Sequence, residues 1–168
     1  TPKPSSAASD VYKRQAYGNH AQTQVPNVSG TVVGKGVQFN GAALMLPASP
    51  SLAQAAGGAF TMSAWIRPDQ LGARQLVMAR REAGNELLGV DQGVPFVQVN
   101  GQRSNPGQPI QAGQWSHLAV RADGQNVALY VGGRPSVALV AALPAFATAV
   151  AVGCLLYTSD AADEGLGV

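Results

Sequence analysis

GQWSHLAVRADGQNVALYV, residues 113–131, decides the fold. From Ser116 to Ala122 the side chains alternate. Ser116, Leu118 and Val120 fall on one side and His117, Ala119 and Arg121 on the other, the period-two signature of a strand. Asp123-Gly124 marks a tight turn, since glycine accepts the positive φ that hairpin turns require. A second strand follows over Asn126 to Val131, with Val127, Leu129 and Val131 on one face and Ala128 and Tyr130 on the other. One face is apolar and the other mixed, as in sheets that pack face to face.

The same alternation recurs in FTMSAWIR, residues 60–67. Phe60, Met62, Ala64 and Ile66 share the apolar side, opposite Thr61, Ser63, Trp65 and Arg67. Burying each large apolar side chain against an opposing sheet contributes about 1.5–3 kcal/mol. Short apolar runs punctuated by Gly, Pro and Asn predict further strands at Val37–Phe39 paired with Ala43–Leu46, Gln75–Arg80, Glu86–Val90, Val94–Val99, Val137–Ala142 and Thr148–Val152. Pro95 places its strand at an edge or at a strand start. Ser49-Pro50-Ser51 predicts a single helical turn.

These stretches resemble the laminin-G-like (concanavalin A-like) jelly-roll domains. Residues 113–131 follow that family's pattern GQWxHxAxxxDGxxxxLYVDG, departing at Gly132, where the family has Asp. FTMSAWIRP is similar to FTVSAWVKP. GVQFNGAALMLP is similar to GxxxxFDGxxxYVxxP, with Asn40 in place of Asp and Leu44 or Met45 at the aromatic position. AYGNHA, residues 16–21, resembles the opening xxGNxxH. The resemblance runs from about Tyr17 to Gly153 and implies an all-β fold, an antiparallel two-sheet jelly-roll β-sandwich. The family continues with a strand of the form xGxIDEVRIY, which does not follow Gly153 here. The sandwich is therefore expected to be C-terminally truncated, with unpaired backbone groups along the vacated place and poor solubility.

The two ends carry a different signal. SSAASDVYKRQ (5–15) and CLLYTSDAADE (154–164) both match translations of a transposase sequencing adapter. Codons spelling the first, read one base out of frame on the opposite strand, spell the second. Residues 1–15 and 154–168 are accordingly expected to be adapter-derived tails, the first of them disordered, around a domain at 16–153 taken from a metagenomic fragment. The whole chain is 168 residues with a net charge of +2. Within 16–153 there are eight Lys and Arg against five Asp and Glu, a net of +3, scattered singly apart from Arg80-Arg81. Nucleic acid needs a basic stripe that is not there. The one cysteine is Cys154, so the domain offers neither a disulfide nor a zinc site, and a thiol-free chain suits the cell exterior. Val137 to Tyr157 is uncharged, but Pro144 and the predominance of Ala argue for two strands around a turn and against a membrane span.

Glycoside hydrolysis needs two carboxylates across the scissile bond. The related jelly-roll glucanases carry E-x-D-x-x-E on one strand, and no such run occurs. Glu82 and Glu86 only bracket a Gly-Asn turn. His20 and His117 are the sole histidines, and no G-x-S-x-G elbow is present. The expectation is no enzyme and no catalytic residue. His117 reads as a structural imidazole hydrogen-bonded to backbone or loop. Trp65 reads as a half-buried ring under a loop, with a sugar-stacking platform as its functional alternative. No cofactor is expected. The resemblance admits calcium, for which Asp91, Asn100 and Asp123 are the available turn residues, although Asx-turn formation explains all three. The resemblance implies a non-catalytic binding module for a glycan or protein ligand, with the ligand residues unknown. It implies other domains in the same bacterial chain, an envelope, periplasmic or secreted location, and no direct membrane insertion. The alternative is a structural spacer in a membrane-anchored assembly, such as a biopolymer-transport proton-channel fusion protein, which DQGVPFVQVNGQRS resembles.

Overall fold

A computed structural model describes residues 21, 26–29, 31–32, 34–80 and 87–155. Thirteen strands are found among them: β1 (Asn27–Val28), β2 (Gly36–Val37), β3 (Leu44–Leu46), β4 (Ala59–Ile66), β5 (Gln75–Arg80), β6 (Leu88–Asp91), β7 (Val94–Phe96), β8 (Gln98–Val99), β9 (Gln102–Arg103), β10 (Ser116–Asp123), β11 (Asn126–Val131), β12 (Arg134–Val140) and β13 (Val150–Leu155). Two antiparallel sheets make the sandwich, one ordered β12-β11-β10-β4 and the other β3-β13-β5-β6-β7, with β1-β2 and β8-β9 as small separate ribbons. The all-β, antiparallel two-sheet jelly roll implied by the sequence is the observed fold. The tail at 1–15, the opening motif at 16–20 and the turn at 82–85 lie outside the described residues.

The decisive hairpin forms in the expected phase. Leu118, Val120, Val127 and Leu129 point inward and lose all or nearly all contact with solvent, while Arg121 and Asp123 remain exposed. Opposite them the second sheet contributes Leu88 and Val90, and Val97, Val99, Ile110, Leu143 and Phe146 close the core from the loops and small ribbon. The hairpin register pairs Ala122 with Val127, so Gly124 and Gln125 form the two-residue turn, one position later than Asp123-Gly124. Gly124 has φ +100°, and a Cβ there would lie 2.7 Å from the Gly57 carbonyl oxygen. Glycine is required on both counts. The Asp123 carboxylate accepts from the Asn126 backbone N–H at 3.0 Å, the Asn126 side-chain amide at 3.2 Å and the Gln125 N–H at 3.4 Å. These bonds, with those of Asn126 first, hold its pKa below the ordinary 3.8.

Several local expectations are corrected. Residues 36–37 pair with β1, and β3 pairs with β13. The Asn40-Gly41 turn therefore does not close a hairpin between Val37–Phe39 and Ala43–Leu46. The Phe39 ring lies instead against Gly153 of β13, a long-range contact that outweighs the local turn signal. The strand expected over Val94–Val99 breaks at Val97, because Val97 N–H and C=O turn to Ser104, its side chain and its N–H respectively, at 3.3 and 2.9 Å. Pro95 lies in β7, an edge strand, as its missing N–H requires. Ser49–Ser51 makes tight turns, Leu52 N–H to Ser49 C=O at 3.0 Å and Ala53 N–H to Pro50 C=O at 3.3 Å, with no helix assigned. The last strand runs Val150–Leu155, longer than the expected Thr148–Val152, and its Cys154 and Leu155 pair with Leu76 and Gln75.

The outer face of the second sheet has its own small cluster. Phe96 on β7 lies opposite Gly89 on β6 and is 1% exposed. The guanidinium carbons of Arg103 and Arg74 sit 3.9 and 5.1 Å from its ring centroid. Arg103 also pairs with Asp91 at 2.7 Å, and Arg74 donates to the Gln98 side chain at 3.2 Å. β4 is the edge of the first sheet. Its eight residues pair with β10, and no other described strand lies along it.

Candidate ligand-binding face

The register between β4 and β10 sets residues 60, 62, 64 and 66 against the core and residues 61, 63 and 65 outward. In that register Trp65 is directly opposite His117. Side chains opposite each other on one sheet face are about 4.5–5.5 Å apart at Cβ. The rings meet at 5.2 Å between centroids, tilted 55°. Just beyond the strand end the next outward pair is Arg67 with Trp115, the guanidinium carbon 5.6 Å from the indole centroid, within cation–π range of about 6 Å. The next outward row, on the other side of Trp65, holds Ser63 opposite Ala119, both short. The result is a two-by-two block with tryptophans on one diagonal and His117 and Arg67 on the other, bordered by a low floor. Trp65, Arg67 and Trp115 also form part of the wall of a groove of about 1000 Å³ that runs between β4 and the β3–β13 side of the other sheet.

Trp65 is 49% exposed. It stands against the His117 ring and shares its groove with residues of the stretch 28–41. The His117 imidazole makes no hydrogen bond to a described residue. Its backbone carbonyl accepts from Gly132 N–H at 2.8 Å, and its ring serves as the backing of Trp65. Arg67 was read as one more outward residue of a strand. Its place over Trp115 follows from the register of two strands fifty residues apart and has no local signature.

The three turn residues weighed for calcium are not assembled into a site. Asp91 is engaged by Arg103, the Asn100 amide donates to the Ala142 carbonyl at 3.1 Å, and Asp123 caps its own hairpin. No cluster of three His, Cys, Asp or Glu side chains suited to a metal occurs among the described residues. No described helix is long and apolar enough to cross a membrane.

Two antiparallel sheets packed face to face in this order define a concanavalin A-like β-sandwich. The model of the concanavalin A-like lectin/glucanase superfamily (Laminin_G_3) matches residues 38–150, and the chain belongs to that superfamily. Among solved structures it is similar to domain 4 of a GH43 extracellular arabinanase from Geobacillus stearothermophilus, in complex with arabinotriose, at 19% identity and TM-score 0.57 over 83% of this chain and 70% of that one. It is also similar to the carbohydrate-binding module CBM66 from Bacillus subtilis, at 18% identity and TM-score 0.46 over 79% and 86%, and to domains LG4-5 of the mouse laminin α1 chain, at 14% and 0.45 over 87% and 42%. No curated protein sequence matches it.

Proposed function

We propose that this chain is a non-catalytic glycan-binding module of a larger extracytoplasmic bacterial protein, and that its ligand lies on the face built from Trp65, His117, Arg67 and Trp115. The observation that carries this reading is the half-exposed Trp65 indole, backed by the His117 ring and edged by the short side chains of Ser63 and Ala119. An indole backed in this way presents a flat apolar surface to the C–H face of a sugar ring, while the flanking polar groups meet its hydroxyls. Packing the ring beforehand lowers the ordering cost of binding. The arabinotriose in the similar arabinanase domain is in keeping with a sugar ligand. Among the described residues, the carboxylate of Asp91 is engaged by Arg103 and that of Asp123 by its own turn. Glycosidic hydrolysis would need a facing pair.

The test is a glycan array probed with the full chain and with Trp65→Ala. Binding to one or more glycans, lost in the variant while thermal unfolding stays within a few degrees, is the expected result. Silence across the array, or binding indifferent to Trp65, refutes the reading. Silence together with tight docking to a neighbouring domain of the parent protein identifies a spacer instead.

A further inference from the structure

Arg67 stands apart from the other arginines that touch aromatic rings. Arg103 spends its charge on Asp91. Arg74 and Arg80 donate to Gln98 and to the Thr148 carbonyl. Arg67 is exposed, lies over Trp115, and makes no ion pair or hydrogen bond with a described residue. Asp69, two positions on, is exposed as well, and no ion pair joins the two. A guanidinium offers five N–H donors in a planar fork that fits a carboxylate through two parallel bonds. The guanidinium carbon lies 5.6 Å from the Trp115 centroid, a cation–π contact that leaves its N–H donors without a partner among the described residues.

The geometry points to an acidic glycan as the ligand, with a uronic-acid carboxylate seated on the Arg67 fork while a sugar ring lies on Trp65. This inference rests on the glycan-binding reading above and adds the charge of the ligand to it. Positions 65 and 67 share a sheet face two residues apart, about 7 Å along the chain. One face of the block thus sets an apolar platform and a cationic fork side by side. The block carries no acidic side chain of its own, so an incoming carboxylate meets Arg67 and the His117 ring without a competitor inside it. A neutral sugar would stack on Trp65 and leave the fork to water.

The experiment uses the full chain and two probes that differ only in charge, oligogalacturonate and its methyl ester, titrated by calorimetry at low salt. The acid is expected to bind at least about tenfold more tightly, the scale of one charge-assisted bidentate contact, and the advantage shrinks as salt is added. Arg67→Gln is expected to abolish the difference with the ester unaffected, Arg67→Lys to keep part of it, and Trp65→Ala to weaken both probes. Equal affinity for acid and ester overturns the acidic preference and leaves a neutral-glycan module. Binding of neither probe, with other glycans bound, overturns it too. No binding to any glycan removes the module reading beneath it. A preference for the acid that survives Arg67→Gln refutes the assignment of the fork. Arg67 is exposed, so loss of fold does not confound its variants.

Discussion

Gly89→Ala tests the packing of the second sheet most directly. A Cβ at that position would lie 2.5 and 2.7 Å from the ring carbons of Phe96 and 3.0 Å from the Gln75 carbonyl oxygen. Carbon atoms in contact normally sit about 3.5–4.0 Å apart, so the ring must retreat by about 1 Å. It has little room. Phe96 is nearly fully buried, Arg103 lies 3.9 Å from its centroid, and Gln75 belongs to the neighbouring strand, whose backbone is tied on both sides. Overpacking of this kind costs about 1–3 kcal/mol. Replacing a strand glycine returns about 0.5–1 kcal/mol of backbone entropy. The net loss expected is about 1 kcal/mol, within a range of about 0–2.5 kcal/mol, read as a shift in urea midpoint at unchanged slope. The double variant Gly89→Ala/Phe96→Leu, which removes the ring, should be more stable than the sum of its singles by about 1 kcal/mol. A stabilising Gly89→Ala, or strict additivity, would refute the claim that the ring rests on this glycine.

Leu118→Ala empties a fully buried site in the middle of the first sheet and should cost about 3–5 kcal/mol by chemical denaturation. Asp123 has a depressed pKa in the folded chain, so the stability it contributes is present at neutral pH and is lost as pH falls below 3.8 through the folded value. Asp123→Ala should therefore destabilise at pH 7, with the difference from the parent shrinking as pH falls below 3.8, measured by urea midpoints across that range. Arg103→Ala removes a partly exposed ion pair and the cover of Phe96, with an expected loss of about 1 kcal/mol in thermal or urea unfolding.

What the sequence revealed depended on how far apart the deciding residues lie. The β10–β11 hairpin and the two faces of β4 were legible because alternation and a glycine turn are local, and their strands pair as the pattern predicts. The partner of β3 was not, since Asn40-Gly41 advertises a hairpin while β13, about a hundred residues on, takes the strand. The break at Val97 depends on Ser104 reaching back across a second turn. Trp65 was recognisable as a candidate platform. Its backing by His117, and the seat of Arg67 on Trp115, appear only once β4 and β10 are in register.

β4 presents Ala59–Ile66, eight residues without a charge or a proline, along an edge that no other described strand covers. An edge of that kind can recruit the same edge of another molecule, since two copies running antiparallel would satisfy each other's backbone. The protein's own concentration thus becomes an experimental variable. Ligand affinities measured in dilute and in concentrated solution need not agree, because Trp65 sits on the strand through which the copies would meet.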